Sequence, residues 1–264
     1  MDSDASQIVK YYQYENGRWK CNDYHIIVES QISLSVNGNL WFTLMCTPVY
    51  LEALAIGFLF NEGIISSIDE IASVRVCPAG DNIDVWLHHA VQKPETWRRT
   101  SGCTGGITSV SSVVSILSPP VQSTNGKYLE GEIISELINQ LFEEQKLYRH
   151  SGGVHTSVFT DGKSMISAED IGRHNTLDKI AGRLMLEKLT LEPWILLTTG
   201  RVSSEMLQKA ARLGAKFVIS KTSPTSLSIL MAESWGITLI GYASRNRFRV
   251  YTHPEAINHN QGLG

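Results

Sequence analysis

Three short segments, Trp194 to Thr198, Phe217 to Ser220 and Thr238 to Ala243, are largely apolar and show no alternating polar face. Strands of that kind must be covered on both sides, as in a parallel sheet held between helical layers. The intervening stretches supply covers: Met206, Leu207, Ala210 and Ala211, then Leu227, Leu230 and Met231, recur at helical spacing. Ser223–Pro224 is expected to cap the second of these helices. Upstream, Thr156 to Thr160 and Met165 to Ala168 read as a hairpin turned at Asp161–Gly162, followed by a helix carrying Leu177, Ile180, Ala181 and Leu184. Glu130 to Glu144 is a further helix, with Ile133, Ile134, Leu137, Ile138, Leu141 and Phe142 on one face. Phe248 to Thr252 adds a last strand as a hairpin, so the second half is an α/β layer structure with a mixed sheet.

The first half has a different grain. Strands are expected at Tyr24 to Ser30 and Leu34 to Val36, joined near Gln31–Ile32, and at Asn39 to Met45 after the Asn37–Gly38 turn. Pro48 precedes a helix whose stripe is Leu51, Leu54, Ala55, Phe58 and Leu59, loosened at its middle by Gly57 and at its end by Gly63. Strands at Ile71 to Val76 and Ile83 to Leu87 follow, turned by Pro78, Gly80 and Asp81. Thr100 to Ser118 is rich in glycine and serine, and Pro119–Pro120 and Asn125–Gly126 interrupt regular structure behind it. A mobile loop at this junction would divide a small N-terminal α+β domain, residues 1–124, from an α/β domain, residues 125–264.

At 264 residues with 42% apolar side chains the chain can bury a sizeable core, which excludes dominant disorder. Its net charge of -3 gives no excess for duplex binding, so no nucleic-acid partner is expected. The longest apolar run, Ala53 to Phe60, is far below the roughly 20 residues of a bilayer span, and the N-terminus has no cationic segment before an apolar core. A cytoplasmic protein without a membrane partner is the expectation. Cys21, Cys46, Cys77 and Cys103 are dispersed and form no CxxC pair, which removes the usual signal for a disulfide scaffold, a dithiol cycle or a cysteine-rich zinc knuckle.

Cys103 lies in Thr100-Ser101-Gly102-Cys103-Thr104-Gly105-Gly106, where small neighbours leave room for a partner and a thiolate could carry a terminal sulfur as persulfide. A structural loop cysteine is the plainer alternative. The other three cysteines sit at expected strand positions or strand ends, where a thiol often fills a small apolar site. His155, and Arg173 with His174 at a helix entry, could exchange a proton or hold an anion, or could make entry hydrogen bonds only. His174 and Asp178 have the spacing of a same-face helical contact. There is no HExxH signature and no deaminase ligand set, so no metal site is expected.

Thr198-Thr199-Gly200-Arg201, Ser220-Lys221-Thr222-Ser223 and Gly241 to Arg247 all follow or end expected sheet strands. They gather free amides, hydroxyls and basic heads at one sheet edge, a place suited to phosphate groups. Tyr242 could cover a planar group there while Arg245 or Arg247 meets phosphate. A noncatalytic carrier of a pterin nucleotide would use the same edge, and a nucleotide hydrolase would still need a water-activating base.

Gly152-Gly153-Val154-His155, the run Glu169 to Lys179 and the terminal Tyr251-Thr252-His253-Pro254-Glu255 resemble the formate dehydrogenase accessory sulfurtransferase family. Gly200–Arg201, Gln208 to Ala211 and Ser223 to Leu227 continue the resemblance in the same order over most of the chain. It implies a cytidine-deaminase-like three-layer α/β domain without deaminase activity, and a homodimer. It further implies sulfur delivery from a cysteine desulfurase to molybdenum cofactor before insertion into the formate dehydrogenase catalytic subunit. The cargo would be the Mo-bis molybdopterin guanine dinucleotide form. Cys103 would be the sulfur-carrying cysteine, and Tyr242, Ala243, Ser244, Arg245, Asn246 and Arg247 the cofactor-binding segment, with Gly200, Arg201 and Lys221 beside it and His155, Arg173 and His174 in support. Many relatives place paired cysteines in the loop, whereas Thr104, Gly105 and Gly106 follow Cys103 here, so the carrier would work with a single thiol.

Overall fold

The computed structural model describes residues 5–94, 97–99, 107–109, 128–189 and 194–258; Cys103 and the 124/125 division lie outside them. The chain opens with β1 (Ser6–Glu15) and β2 (Arg18–Ile27), paired antiparallel through Asn16–Gly17. Both turn residues have positive φ, 51° and 78°, the backbone an Asn-Gly pair supplies in a two-residue hairpin turn. The strand expected at Tyr24 to Ser30 is therefore the end of a longer β2, and the chain leaves it at Val28–Glu29. Gln31 and Ile32, expected at a junction, lie inside β3 (Ser30–Val36) as an exposed and a buried position of one alternating strand. Tyr12, Tyr14 and Trp19 of the hairpin are 74%, 62% and 70% exposed.

β3 pairs antiparallel with β4 (Asn39–Cys46), after which come α1 (Leu51–Asn61), β5 (Ile71–Val76) and β6 (Asn82–Leu87). The four strands form a sheet in the order β4-β3-β6-β5, its apolar face on α1. β7 (Trp97–Arg99) and β8 (Ile107–Ser109) make a short antiparallel pair. β9 (Leu129–Glu130) then leads into α2 (Gly131–Glu143) and α3 (Lys146–Ser151).

The larger unit follows as β10 (His155–Thr160), β11 (Met165–Asp170), α4 (Arg173–Leu186), β12 (Ile195–Thr198), α5 (Ser204–Arg212) and β13 (Phe217–Ser220). It closes with α6 (Ser226–Ser234), β14 (Thr238–Ser244), β15 (Arg247–Val250) and β16 (Ile257–Asn258), which pairs with β9. Six of these strands form one sheet in the order β11-β10-β12-β13-β14-β15. β12, β13 and β14 run parallel, and the outer pairings are antiparallel. Leu196, Val218 and Leu239 face Leu177, Leu207 and Met231 of α4, α5 and α6, while Leu197, Ile219 and Ile240 face Ile134 and Leu141 of α2. The three-layer α/β arrangement with a mixed sheet is the expected one.

Local differences have physical causes. α6 is capped by Thr225, whose hydroxyl accepts the Ser228 N–H while the Ser228 side chain accepts the Thr225 N–H, and Ser223–Pro224 lies before this box. That start turns Ser228, Met231 and Ala232 inward and leaves Leu227 and Leu230 exposed. α1 has no single stripe: nearly every residue from Ala53 to Leu59 is buried, because the small sheet packs on one side and α4 on the other. Gly57 is the close-approach point of that second contact. A Cβ on Gly57 would fall 1.7 Å from the Asp178 carbonyl oxygen, and one on Gly182 would fall 1.9 Å from that of Ala53.

Charged groups tie the same contact. The Lys179 ammonium, fully buried, lies 2.6 Å from Asp170 Oδ2 and donates to the Thr47 carbonyl at 3.0 Å. Asp170 also accepts the Thr47 N–H at 3.1 Å, so the end of β11 is joined to the segment after β4. The neighbouring residue on α4, Asp178, accepts from Lys209 of α5 at 2.6 Å and from Asn61 of α1 at 2.7 Å. Among the described residues no helix is long and apolar enough to cross a membrane.

Gly57→Ala should cost about 1–3 kcal/mol of stability or more in urea unfolding, since backbone rather than a flexible side chain blocks the methyl. Lys179→Met should cost about 3–5 kcal/mol in the same measurement, because Asp170 is left charged and buried.

Candidate functional site

The C-terminal ends of β12, β13 and β14 are stitched together by backbone hydrogen bonds and one short polar side chain. The Lys221 N–H donates to the Thr198 carbonyl at 3.1 Å, Ser220 Oγ to the Gly200 carbonyl at 2.7 Å, and the Tyr242 N–H to the Thr222 carbonyl at 2.9 Å. The three turn segments picked out in the sequence therefore adjoin. β14 bends as it reaches this edge: its pairing with β15 shifts register between Gly241 and Ser244, and Tyr242 has φ 51°. The bend turns Tyr242 to solvent and sends the Ala243 side chain into the core beside α2. Gly241 is needed in the bend, since a Cβ would lie 3.0 Å from Pro224, Thr222 and Tyr251 atoms.

Cations collect along the rim. Arg201, Ser244, Arg245, Asn246 and Arg247 are exposed. Lys221 is partly buried, its ammonium 4.3 Å from the centre of the Phe142 ring, and desolvation lowers its pKa. The Arg249 guanidinium lies over the Tyr242 ring at 4.4 Å, so this ring already holds one planar cation on a face. Among the described residues no carboxylate pairs with Arg201, Lys221, Arg245 or Arg247. Ser244, Arg245 and Asn246 line an open cleft of about 620 Å³ whose other wall is Phe142, Gln145, Tyr148 and Arg149. Of that second wall only Phe142 falls on the periodic face expected for α2; Gln145, Tyr148 and Arg149 lie at the α2–α3 junction and in the short α3, where no periodicity marks them.

The supporting histidines form a second group at the same edge. His155 Nδ1 is 3.4 Å from Thr199 Oγ1, which accepts the Thr156 N–H at 3.0 Å. A Cβ on Gly200 would come within 3.0 Å of Arg173 Cβ and 3.5 Å of His155 Nδ1, so glycine lets α4 begin against the β12 turn. Burial, then the Arg173 charge, holds His155 below the ordinary histidine range. His174 is buried at the start of α4 with Nε2 3.4 Å from Glu205 Oε2 on α5. Burial lowers its pKa although Glu205 opposes the shift. Burial pushes Glu205 upward, but His174, Lys209 and Arg173 together hold it below the usual carboxylate value. The expected pairing of His174 with Asp178 is not formed: Asp178 points to Lys209 and Asn61 instead. Glu205 lacked a sequence signal, being an ordinary charged position on an amphipathic helix, and Lys209 stood only in the Gln208 to Ala211 stretch of the resemblance, with no role read for it.

Among the described cysteines, Cys46 is buried and its thiol is pushed up to about 12 by desolvation and by Asp170. Cys77 donates to Asp81 at 2.9 Å, and Cys21 is exposed on β2. Among the described residues no three His, Cys, Asp or Glu side chains converge on a metal position.

Because His155 and His174 bind protons less readily when folded, the unfolded chain takes up more protons as pH falls below about 6.5, and stability declines there. The Glu205 contribution is lost at still lower pH, as its carboxylate protonates. Urea midpoints should be steady above neutrality and drop from about pH 6.5 to 5. His174→Gln should flatten part of that drop.

The FdhD/NarQ family model matches residues 27–258. The sulfur carrier protein FdhD of Bacillus pumilus (strain SAFR-032) is 34% identical over 249 residues, 93% of this chain and 95% of the relative. That of Bacillus subtilis (strain 168) is 33% identical, over 97% and 99% of the two chains. A crystal structure from Desulfotalea psychrophila, of a protein assigned as a formate dehydrogenase accessory protein, superposes with a TM-score of 0.77 at 28% identity, covering 96% of this chain and all of that one. By sequence match along nearly its whole length, and by the fold that the match accompanies, the chain belongs to the FdhD/NarQ family.

Proposed function

We propose that this protein is a cytoplasmic, homodimeric sulfur carrier that serves formate dehydrogenase. A cysteine desulfurase loads it: the Cys103 thiolate attacks the terminal sulfur of the donor's persulfide, a new S–S bond forms at Cys103, and the donor cysteine leaves as thiolate. The outer sulfur, formally neutral, would then pass to reduced molybdenum cofactor in its bis-molybdopterin guanine dinucleotide form as the S–S bond breaks, the reduced cofactor supplying the two electrons that make it sulfide, and Cys103 returns to thiolate. The observation that carries the reading is the strand edge, where Arg201, Lys221, Arg245 and Arg247 have no carboxylate partner among the described residues in a chain of net charge -3. Such cations suit the phosphates of a nucleotide-bearing cargo, and Tyr242 with Arg249 offers a flat surface beside them. The printed names of the curated relatives supply the sulfur-carrying role, and the Cys103 loop supplies its thiol.

Loading by a desulfurase with labelled cysteine, followed by mass mapping, should place one extra sulfur on Cys103, and Cys103→Ser should abolish both the adduct and transfer to immature cofactor. Full sulfur transfer by Cys103→Ser would overturn the carrier role. Delivery of cofactor by that variant without sulfur movement would instead favour a noncatalytic cofactor carrier. Arg245→Ala should weaken cofactor binding about tenfold or more while Cys103 loading is unchanged.

A further inference from the structure

Among the described residues few buried side-chain polar atoms lack a hydrogen-bond partner, and two of them face each other: His174 Nε2 and Glu205 Oε2, 3.4 Å apart. Each belongs to the second residue of a helix. His174 follows Arg173 at the start of α4, and Glu205 stands in the first turn of α5 behind the Ser203 cap. Both starts open on the β12 turn, where Arg173 packs on Gly200 and α5 begins just beyond. Ionisable groups left unfinished in a buried place cost stability, so packing alone gives no reason for the pair.

The pair selects a tautomer. With its proton on Nε2, the neutral imidazole aims a donor at the carboxylate; with the proton on Nδ1, a lone pair would face a carboxylate oxygen and be repelled. Glu205 thereby reserves Nδ1 as the acceptor of the ring. The surroundings keep that ring neutral: Lys209 of α5, Arg173 of its own helix and His155 of β10 are the basic groups around it, and burial acts in the same sense. The nearby carboxylates are committed elsewhere, Asp178 to Lys209 and Asn61, and Asp170 to Lys179, Thr47 and Asn175. Among the described residues Glu205 is the carboxylate that faces the ring.

We propose that Glu205 is a positioning residue for sulfur transfer: it holds His174 as the Nε2–H tautomer, so that an uncharged acceptor stands next to Arg173 at the β12 turn. The proposal rests on the reading of that strand edge as the place where the carried sulfur meets its cofactor. A second proton enters at Nδ1 and removes the acceptor, since Nε2 already carries one. Transfer therefore falls on the acid side as His174 charges. Glu205 favours the charged ring, so loss of its charge moves that fall to lower pH.

Heteronuclear NMR of the histidine ring nitrogens in the full-length protein, read beside sulfur transfer from the loaded protein to immature cofactor, tests this. At neutral pH His174 should carry its proton at Nε2. Glu205→Ala should mix the tautomers and slow transfer about tenfold to a hundredfold, the scale of a misplaced group near a reacting centre. Glu205→Gln, whose amide oxygen can accept the same N–H, should restore tautomer and rate, with the acid limb of the pH profile displaced downward. Should Glu205→Ala not fold, the profile of Glu205→Gln decides alone. An unmoved acid limb in Glu205→Gln, a proton at Nδ1 of His174 in the parent, or full transfer by Glu205→Ala would each overturn the positioning role and leave the carrier reading standing. Full transfer by Cys103→Ser in the same assay would remove the carrier reading instead, whatever tautomer the spectra show.

Discussion

The backbone-to-backbone crossing of α1 and α4 is the constraint on which the rest depends. Two glycines, Gly57 and Gly182, remove the Cβ atoms that would hold the helices at an ordinary 8–10 Å separation. Beside that crossing, ions are buried and tied to the first unit: Lys179 of α4 with Asp170 of β11, both bonded to Thr47, and Asp178 of α4 with Lys209 of α5 and Asn61 of α1. Buried ion pairs add little net stability, but each leaves a heavy penalty if its partner moves away. The effect is to fix register. α4 can occupy only one position against the small sheet, so Arg173 and His174 at its start can take only one position against the β12 turn.

That fixed start organises the functional edge. α4 brings two basic or titratable groups to one side of the β12 turn, and the bend in β14 brings Tyr242 and its following arginines to the other. The edge is cationic although the chain as a whole is acidic, which concentrates the attraction for anions where the strand ends leave amides and hydroxyls.

Much of this was legible from the residues. The unbroken apolar strands fixed the parallel centre of the large sheet, and the turn segments after them did adjoin. What escaped was whatever depends on a neighbour distant in sequence. Gly57 looked like a weak point in a helix, because only the approach of α4 shows why no side chain fits there. Leu227 and Leu230 looked like core, because helical spacing alone does not say which face the Thr225 cap will turn inward. The α3 wall is six residues of mixed polarity, too short for any periodic signal. Asn16–Gly17 was a readable turn, masked by flanking strands whose aromatic and charged residues do not alternate toward a core.

That first hairpin has a consequence for motion. Its two strands are hydrogen-bonded to each other alone, with most side chains on both faces wet, and a lone two-stranded ribbon is marginal in water. It is anchored at its root, where the His25 ring meets that of His150 at 4.0 Å and the Val28 N–H donates to Ala5 at 2.9 Å. Amide protection should therefore grade along the ribbon, slowest to exchange at Ile27 and fastest toward Asn16, with the tip opening independently of the layers beneath it.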